Sequence, residues 1–265
     1  MDLNESVKLK FTENVKKFMV SGNDDRKKNV YHVSSLVYGC NRFVWYVRRS
    51  EDSGNPVNKF VDEEALFRMW IGTKLHETPV SDYHEKNVMM KIFGSVVSGT
   101  VDEIFIVDAE DNGKKIKVLI DKKFIGTSLP KTAREHNMKQ ALFYATMMRD
   151  VFREKIDAVG ILYFRPVVSY YSEERIAVFT MPFTENEYIA NKIELESIVR
   201  EVDKALKEDY LPPKKISWFC NYCDFKAFCA KEEKLPIVEK KNKEDLNFVP
   251  IDLTQITKKM QIGGV

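Results

Sequence analysis

Two stretches near the middle of the chain decide the fold: SGTVDEIFIVD at residues 98–108 and VLIDKKFIG at residues 118–126. Both are rich in β-branched and aromatic residues, and the turn signal DAEDNGK lies between them, so they predict two strands. A carboxylate interrupts each apolar run, Asp102 in the first and Asp121 in the second. Because side chains alternate along a strand, Asp121 and Lys123 share one face.

These three charged side chains, within otherwise apolar strands, indicate a divalent-metal site with a cation beside it. Carboxylate oxygens suit Mg²⁺ or Mn²⁺, and a metal held there lowers the pKa of a bound water and neutralises phosphate charge. Lys123 would orient the attacking water or stabilise the charge that develops at phosphorus. A single aspartate in a strand is often solvated or close to a turn, and that interpretation stays open for each aspartate taken alone.

Helical periodicity surrounds the strands. It predicts helices over residues 5–19, 62–84, 131–153 and 185–208, and a further helix that carries Cys40, with Ser34 and Ser35 as N-cap candidates. AVGILYFRP at 158–166 and ERIAVFTMPF at 174–183 predict two more strands. This order predicts an α/β core wrapped by a helical, metal-bearing arch that joins the N- and C-terminal segments.

Two of the predicted helices contain further candidates. His76 can add an imidazole ligand, which favours Mn²⁺ over Mg²⁺, although a lone helical histidine is more often a surface or core residue. Gln140 and Tyr144 are four residues apart and lie on one helix face, where both can hydrogen-bond a phosphate or a base. A glutamine and a tyrosine with this spacing also occur by chance in many helices.

The four cysteines form the second constellation. Cys220, Cys223 and Cys229 are spaced C-x2-C-x5-C, and Cys40 is the one candidate for a fourth ligand. Closing the long loop between them costs entropy only logarithmically in its length. Four sulfurs suit tetrahedral zinc or an iron–sulfur cluster, and ligand types alone do not decide between them. The alternative is that the cysteines are buried structural residues without a metal.

Composition excludes several classes of protein. Of 265 residues, 44% are hydrophobic and 31% are charged, which excludes a membrane protein, and the 12% of aromatic residues argues against a disordered chain. Without a recognisable secretory signal, the expected location is the cytoplasm. The net charge of +2 means that any nucleic-acid site must be a local patch. The candidate cations are Arg42, Arg48 and Arg49, or Lys131, Arg134 and Lys139.

Taken in order, GTKLHE (72–77), GTVDE (99–103), IDKK (120–123), QALFY (140–144) and the cysteine trio resemble the RecB-like branch of the PD-(D/E)xK nucleases. SSLVYGCNRFVWYVRR (34–49) is similar to the N-terminal cysteine segment of the iron–sulfur members, above all the CRISPR-associated Cas-four exonuclease family, with the Dna-two and AddB nuclease domains as relatives. The match covers about residues 30–230. It implies a restriction-endonuclease-like core over 61–210, in which helices flank a mixed sheet, together with an N-terminal helical segment 1–60, an iron–sulfur segment 211–234 and a tail 235–265.

The resemblance also implies roles for individual residues. His76, Asp102, Asp121 and the backbone carbonyl of Lys122 would be the metal ligands, and Lys123 the catalytic lysine. Gln140 and Tyr144 match a QxxxY motif that contacts DNA and supports the site. A [4Fe–4S] cluster would be held by Cys40, Cys220, Cys223 and Cys229. The third motif is Asp-x-Lys here, where many relatives have Glu-x-Lys, and the superfamily pattern admits both.

The function implied is a metal-dependent exonuclease on single-stranded DNA, commonly with 5′→3′ polarity, that trims prespacers in CRISPR adaptation. Its expected partners are DNA, CRISPR integrase proteins and further copies of the chain. Three alternatives stay open at this point. They are a stand-alone or viral nuclease in repair or replication, a non-catalytic DNA-binding subunit with a structural cluster, and a zinc-stapled structural protein.

Overall fold

The computed structural model describes residues 30–52, 63–81, 83–108, 115–126, 128–165 and 175–231. The predicted helix over 5–19 and the tail 235–265 lie outside these residues. The elements, in chain order, are β1 (Val30–His32), α1 (Val33–Leu36), α2 (Asn41–Asp52), α3 (Glu63–His76), β2 (Tyr83–Ile92), β3 (Ser95–Asp108), β4 (Lys115–Phe124), α4 (Glu135–Phe152), β5 (Ala158–Phe164), β6 (Ile176–Pro182), α5 (Glu185–Lys207), a 3₁₀ turn (Trp218–Asn221) and α6 (Lys226–Lys231).

The strands form one mixed six-stranded sheet built around β3. Strand β2 pairs antiparallel with one edge of β3, while β1, in parallel, and then β4, antiparallel, share the other edge. Strand β5 runs parallel to β4, and β6 runs antiparallel to β5. This architecture confirms the predicted α/β fold with a mixed sheet between helices.

The sheet divides where β3 and β4 part. Their pairing begins at Asp108–Lys115 and ends at Glu103–Ile120. Beyond that pair, β4 continues along β5 alone, with Asp121 opposite Ile161. Strand β4 therefore parts from β3 at the residues that carry charge, and this division leaves room for polar side chains inside the sheet.

Helix α4 supplies the main core on one face of the sheet. It packs on β2, β3, β4 and β5, and α5 covers it from outside while also contacting α2. Phe143, Met147 and Leu195 are fully buried in this layer. A smaller apolar cluster of Val118 and Ile120 lies on the opposite face, so the residues of β4 alternate between two cores, as period-2 geometry requires.

Two predicted helices differ from the structure. The helix expected over 62–84 ends at His76, and the chain enters β2 at Tyr83, because Pro79 disfavours helical backbone at Thr78 before it. The predicted helix that carries Cys40 is broken: Ser34 and Ser35 lie inside α1, and the chain turns through Gly39, with φ +63°, before α2 starts. Cys40 therefore precedes a helix instead of lying within one.

No helix among the described residues is long and apolar enough to cross a membrane.

Candidate active site

The two carboxylates meet where the sheet divides. Asp102 and Asp121 lie one step beyond the last β3–β4 pair, and both are buried, Asp121 to 1% exposure. Asp102 bridges the gap: its Oδ2 accepts a hydrogen bond of 2.7 Å from the backbone N–H of Lys122, and its Oδ1 lies 2.9 Å from Nδ1 of His76. Three predicted metal ligands, His76, Asp102 and Asp121, thus lie in one region of the fold, on α3, β3 and β4.

Asp121 is the electrostatic centre of this group. Burial raises its pKa to about 6, the Lys123 ammonium acts against that shift, and the Asp102 carboxylate adds to it. The Lys123 Nζ lies 2.9 Å from Oδ2, yet among the described residues neither carboxylate oxygen takes part in a well-directed hydrogen bond. Buried oxygens without such partners are costly, and a bound cation would satisfy them.

Lys123 is held between the carboxylates and α4. Its Nζ donates to Oε1 of Gln140 at 3.3 Å, and Nε2 of Gln140 donates to the hydroxyl of Tyr144 at 3.0 Å. Burial would lower the pKa of Lys123, but the Asp121 and Asp102 carboxylates outweigh burial and raise it. Lys123 is therefore an ammonium that donates hydrogen bonds, and the QxxxY pair stands directly behind it.

Gly99 explains how Tyr144 reaches this position. A Cβ atom at residue 99 would lie 2.3 Å from Cε1 of Tyr144, a separation that no side chain tolerates. The glycine of the GTVDE stretch therefore lets the buried tyrosine ring approach the backbone of β3 closely. The space it frees is filled by the ring that supports Gln140 and, through it, Lys123.

A buried ion pair that the sequence analysis did not identify lies on the other face of the same strands. Glu103 and Lys122 are 0% and 1% exposed, and their Oε1 and Nζ atoms are 2.7 Å apart. The Lys122 ammonium also donates to the backbone carbonyls of Thr78, at 2.8 Å, and His76, at 3.2 Å. The side chain of Lys122 thus caps the C-terminal end of α3 and holds His76 beside Asp102.

Glu103 is satisfied on every side. Its Oε2 accepts from the hydroxyl of Ser81 at 2.6 Å, and its Oε1 lies 2.9 Å from Nδ1 of His84. Burial would raise its pKa, but the hydrogen bonds from Lys122, Ser81 and His84 lower it, so Glu103 is ionised. One signal was present in the sequence: Glu103 and Lys122 each adjoin a site aspartate, so alternation places both on the opposite face.

The cysteines converge as well. All four line one cavity beside Arg42 and Phe43, and none forms a disulfide. Burial, together with the neighbouring Cys40 and Cys220, raises the pKa of Cys223 to about 11. Cys40, which directly precedes α2, thus lies beside the C-terminal trio in the folded protein.

The sequence profile of the PD-(D/E)XK nuclease superfamily matches residues 28–230. The chain belongs to this superfamily. Among solved structures, that of SSO0001 has the same fold, with a TM-score of 0.53. The two sequences are 16% identical, and the alignment covers 83% of this chain and 96% of that chain. A "Putative exonuclease" from Eubacterium rectale is 14% identical over 85% and 79% of the two chains, but its TM-score of 0.34 supports no argument. No curated protein sequence matches.

As a PD-(D/E)XK nuclease, the protein acts on nucleic acid, and members of the superfamily typically use Mg²⁺ or Mn²⁺. Asp102, Asp121 and Lys123, which the sequence resemblance offered as the motif residues, all lie within the matched range. Within the described residues, no three His, Cys, Asp or Glu side chains lie close enough together to hold a single ion. Beside Asp102 and Asp121, the position that a metal ion would take is next to the Lys123 ammonium, whose Nζ lies 2.9 Å from Oδ2 of Asp121.

Most of the cations expected to contact DNA are engaged within the nuclease fold. Arg42 Nε donates to the carbonyl of Pro212 at 2.7 Å, Arg49 pairs with Asp209, and Lys139 Nζ lies 2.6 Å from Glu194 Oε2. The Arg48 guanidinium is buried over the ring of Tyr31. Arg42, Arg48, Arg49 and Lys139 thus have partners within the protein, while Lys131 and Arg134 are exposed; contact with DNA stays a prediction for all six.

Proposed function

We propose that the protein is a metal-dependent exonuclease that degrades single-stranded DNA from an end, with 5′→3′ polarity. One observation carries the proposal: the two buried oxygens of Asp121, without well-directed hydrogen bonds, adjoin Asp102 and the Lys123 ammonium. This set combines cation-binding oxygens with a donor for a phosphate. The residues offered as ligands are His76, Asp102, Asp121 and the carbonyl of Lys122.

The chemistry follows from the charges. A bound Mg²⁺ or Mn²⁺ lowers the pKa of water and neutralises phosphate charge. Lys123, an ammonium, donates a hydrogen bond to a phosphate oxygen as negative charge grows there, or to the attacking water. Gln140 limits the motion of Lys123 through its 3.3 Å contact, and Tyr144 in turn holds Gln140. Preorganised donors of this kind need no rearrangement during the reaction.

The proposal includes a [4Fe–4S] cluster on Cys40, Cys220, Cys223 and Cys229. Four thiols that line one cavity without a disulfide fit a cluster in which each iron takes one thiolate. Free thiols also suit the reducing cytoplasm. The sequence resemblance supports a role in CRISPR adaptation beside an integrase, and a stand-alone repair nuclease would share the same site.

Replacing Cys40 with alanine should remove or destabilise the cluster, because three thiolates leave one iron open to solvent and oxidation. We expect the purified variant to contain less iron and to show weaker visible absorption than the wild-type protein. It should also unfold more easily, since binding of the cluster is coupled to folding. Undiminished iron content in the variant would show that Cys40 is not a ligand. A wild-type protein that is colourless and contains zinc would show that the cysteines form a zinc site and not an iron–sulfur cluster.

A free end should be required for cleavage. In the proposed arrangement the cysteine-bearing segment arches over the carboxylates, so that the strand is threaded through. Two single-stranded DNAs of equal sequence, one linear and one covalently closed, test this with Mn²⁺ present. We expect only the linear strand to be degraded, and its binding to weaken with salt by a log–log slope of about −0.7 per phosphate contact. Equal cutting of the circle would show an open endonuclease site.

A further inference from the structure

A row of aromatic side chains leads from the carboxylate site to the protein surface. We propose that Tyr38, His136, Trp218 and Tyr222, here called the aromatic wall, stack the unpaired bases of the strand whose backbone enters the site. The inference rests on the proposed nuclease function and deepens it, because it states which side chains bind the bases of the single strand. Bases in a duplex are already stacked on one another, whereas single strands offer their faces to aromatic rings.

The inner end of the wall is fixed by packing. The ring of Tyr38 lies nearly parallel to that of Phe219, with centroids 3.8 Å apart and planes at 8°. Phe219 is buried and meets Phe43 edge-on at 4.9 Å. On another side Tyr38 stacks with His136 at 5.7 Å. These contacts hold the first two rings of the wall in fixed orientations.

Two rings of the wall are influenced by the charge of Lys123. Burial raises the pKa of Tyr38, and the Lys123 ammonium acts against that shift. Burial, together with the charges of Arg134 and Lys123, lowers the pKa of His136 to about 4. Both rings therefore lie within electrostatic reach of the catalytic lysine. His136 is neutral near pH 7, where its imidazole packs as an uncharged aromatic ring.

The outer end of the wall is open to solvent. Trp218 lies 5.0 Å from His136 and is 51% exposed, and Tyr222 lies 6.1 Å from Trp218 and is 75% exposed. Trp218 is the first residue of the 3₁₀ turn and Tyr222 is its C-cap. The hydroxyl of Ser217 caps the N-terminal end of the turn by accepting a hydrogen bond from the backbone N–H of Phe219. Large aromatic rings exposed on a rigid turn are typical of surfaces that bind a ligand.

The charge of the surrounding segments favours nucleic acid as that ligand. His136 belongs to the segment 131–136, and Trp218 and Tyr222 belong to the segment 214–226. Together these segments contain five cations, Lys131, Arg134, Lys214, Lys215 and Lys226, and two carboxylates, Glu135 and Asp224. Cations that follow a phosphate backbone beside aromatic rings are the combination by which proteins bind single strands without sequence preference. A protein partner would be the competing occupant, and the experiment below separates the two.

Binding of a fluorescein-labelled oligothymidine, followed by anisotropy in the full-length protein without added divalent cation, tests the wall apart from cleavage. We expect Trp218→Ala to bind about tenfold more weakly than the wild-type protein, because the stacking of one base is lost. Phe228→Ala is the matched control: Phe228 is 56% exposed on the neighbouring helix α6 but makes none of the wall's ring contacts described above. This variant should bind as the wild-type protein does.

An oligonucleotide of the same length that carries abasic sites keeps the phosphates and removes the stacking faces. The wild-type protein should bind it about tenfold more weakly than oligothymidine, and Trp218→Ala should bind the two strands equally. Tyr222→Ala serves as a second variant if Trp218→Ala does not fold. Equal binding of both strands by the wild-type protein overturns the proposal. Wild-type affinity for oligothymidine in both variants also overturns it. This holds too if the two variants lose binding to a protein partner, because the wall would then be a protein-binding surface. A wild-type protein that binds but does not cut with Mn²⁺ would refute the proposed nuclease chemistry alone.

Discussion

Cleavage of single-stranded DNA should fall by about 10³-fold or more when Asp121 is replaced by asparagine, a loss that corresponds to about 4 kcal/mol of transition-state stabilisation. The change preserves the size of the side chain and removes the charge that the cation would meet. Asp121 is 1% exposed, so no solvent can replace the lost carboxylate. The measurement is the initial rate of release of end label in the presence of Mn²⁺.

Lys123→Ala is the informative companion variant. We expect it to lose cleavage to a similar degree while retaining Mn²⁺ binding, measured by calorimetry, because the ammonium acts on the reacting groups and does not hold the ion. Both variants should keep the visible absorption of wild-type protein, since the cysteines lie in a separate cavity. A wild-type rate in Lys123→Ala would refute the catalytic assignment, and wild-type Mn²⁺ affinity in Asp121→Asn would remove Asp121 from the ligands.

The free energy of unfolding should fall by about 3–5 kcal/mol when Glu103 is replaced by alanine, because the change leaves the ammonium of Lys122 buried without its carboxylate. The two side chains are 0% and 1% exposed, and their charged atoms are 2.7 Å apart. Urea denaturation at neutral pH, where Glu103 is ionised, measures the loss.

Two further variants identify the cause. Lys117→Met breaks the partly exposed pair with Glu154 and should cost less than about 1 kcal/mol. Replacing both members of the buried pair, in Glu103→Leu with Lys122→Met, should recover most of the stability lost in Glu103→Ala, since no unpaired charge remains. A Glu103→Ala protein as stable as the wild type would show that the pair contributes nothing. If the double variant is stable but cuts slowly, the cap on α3 matters for holding His76.

Periodicity along the chain was enough to place Asp121 and Lys123 together. Alternation over two residues fixes the face of a side chain whatever the strand pairs with, and the ion pair in the structure agrees with it. The same local rule placed Gln140 and Tyr144 on one helix face, where they hydrogen-bond. The α/β class also followed from local patterns, because the order of strand and helix signals limits how layers can pack.

Breaks in regular structure were less visible in the sequence. The helix carrying His76 was expected to run on to residue 84, and Pro79 was the signal that it could not. The break before Cys40 depends on Gly39 adopting a positive φ, which the residue permits but does not demand. Local propensity therefore left these boundaries to the packing of neighbouring elements.

The sequence by itself determined which candidate groups the chain carries: two strand carboxylates with a lysine, a QxxxY helix face, and a cysteine trio with Cys40 as the candidate fourth ligand. Only the tertiary structure decided which groups meet across the fold. It paired Lys122 with Glu103, brought Cys40 to the cavity of Cys220, and set Tyr38 against His136. The physical reason is that a residue's periodic position specifies the direction of its side chain, whereas its partner is set by which strands and helices become neighbours. That choice depends on the burial of the whole core and not on any one segment.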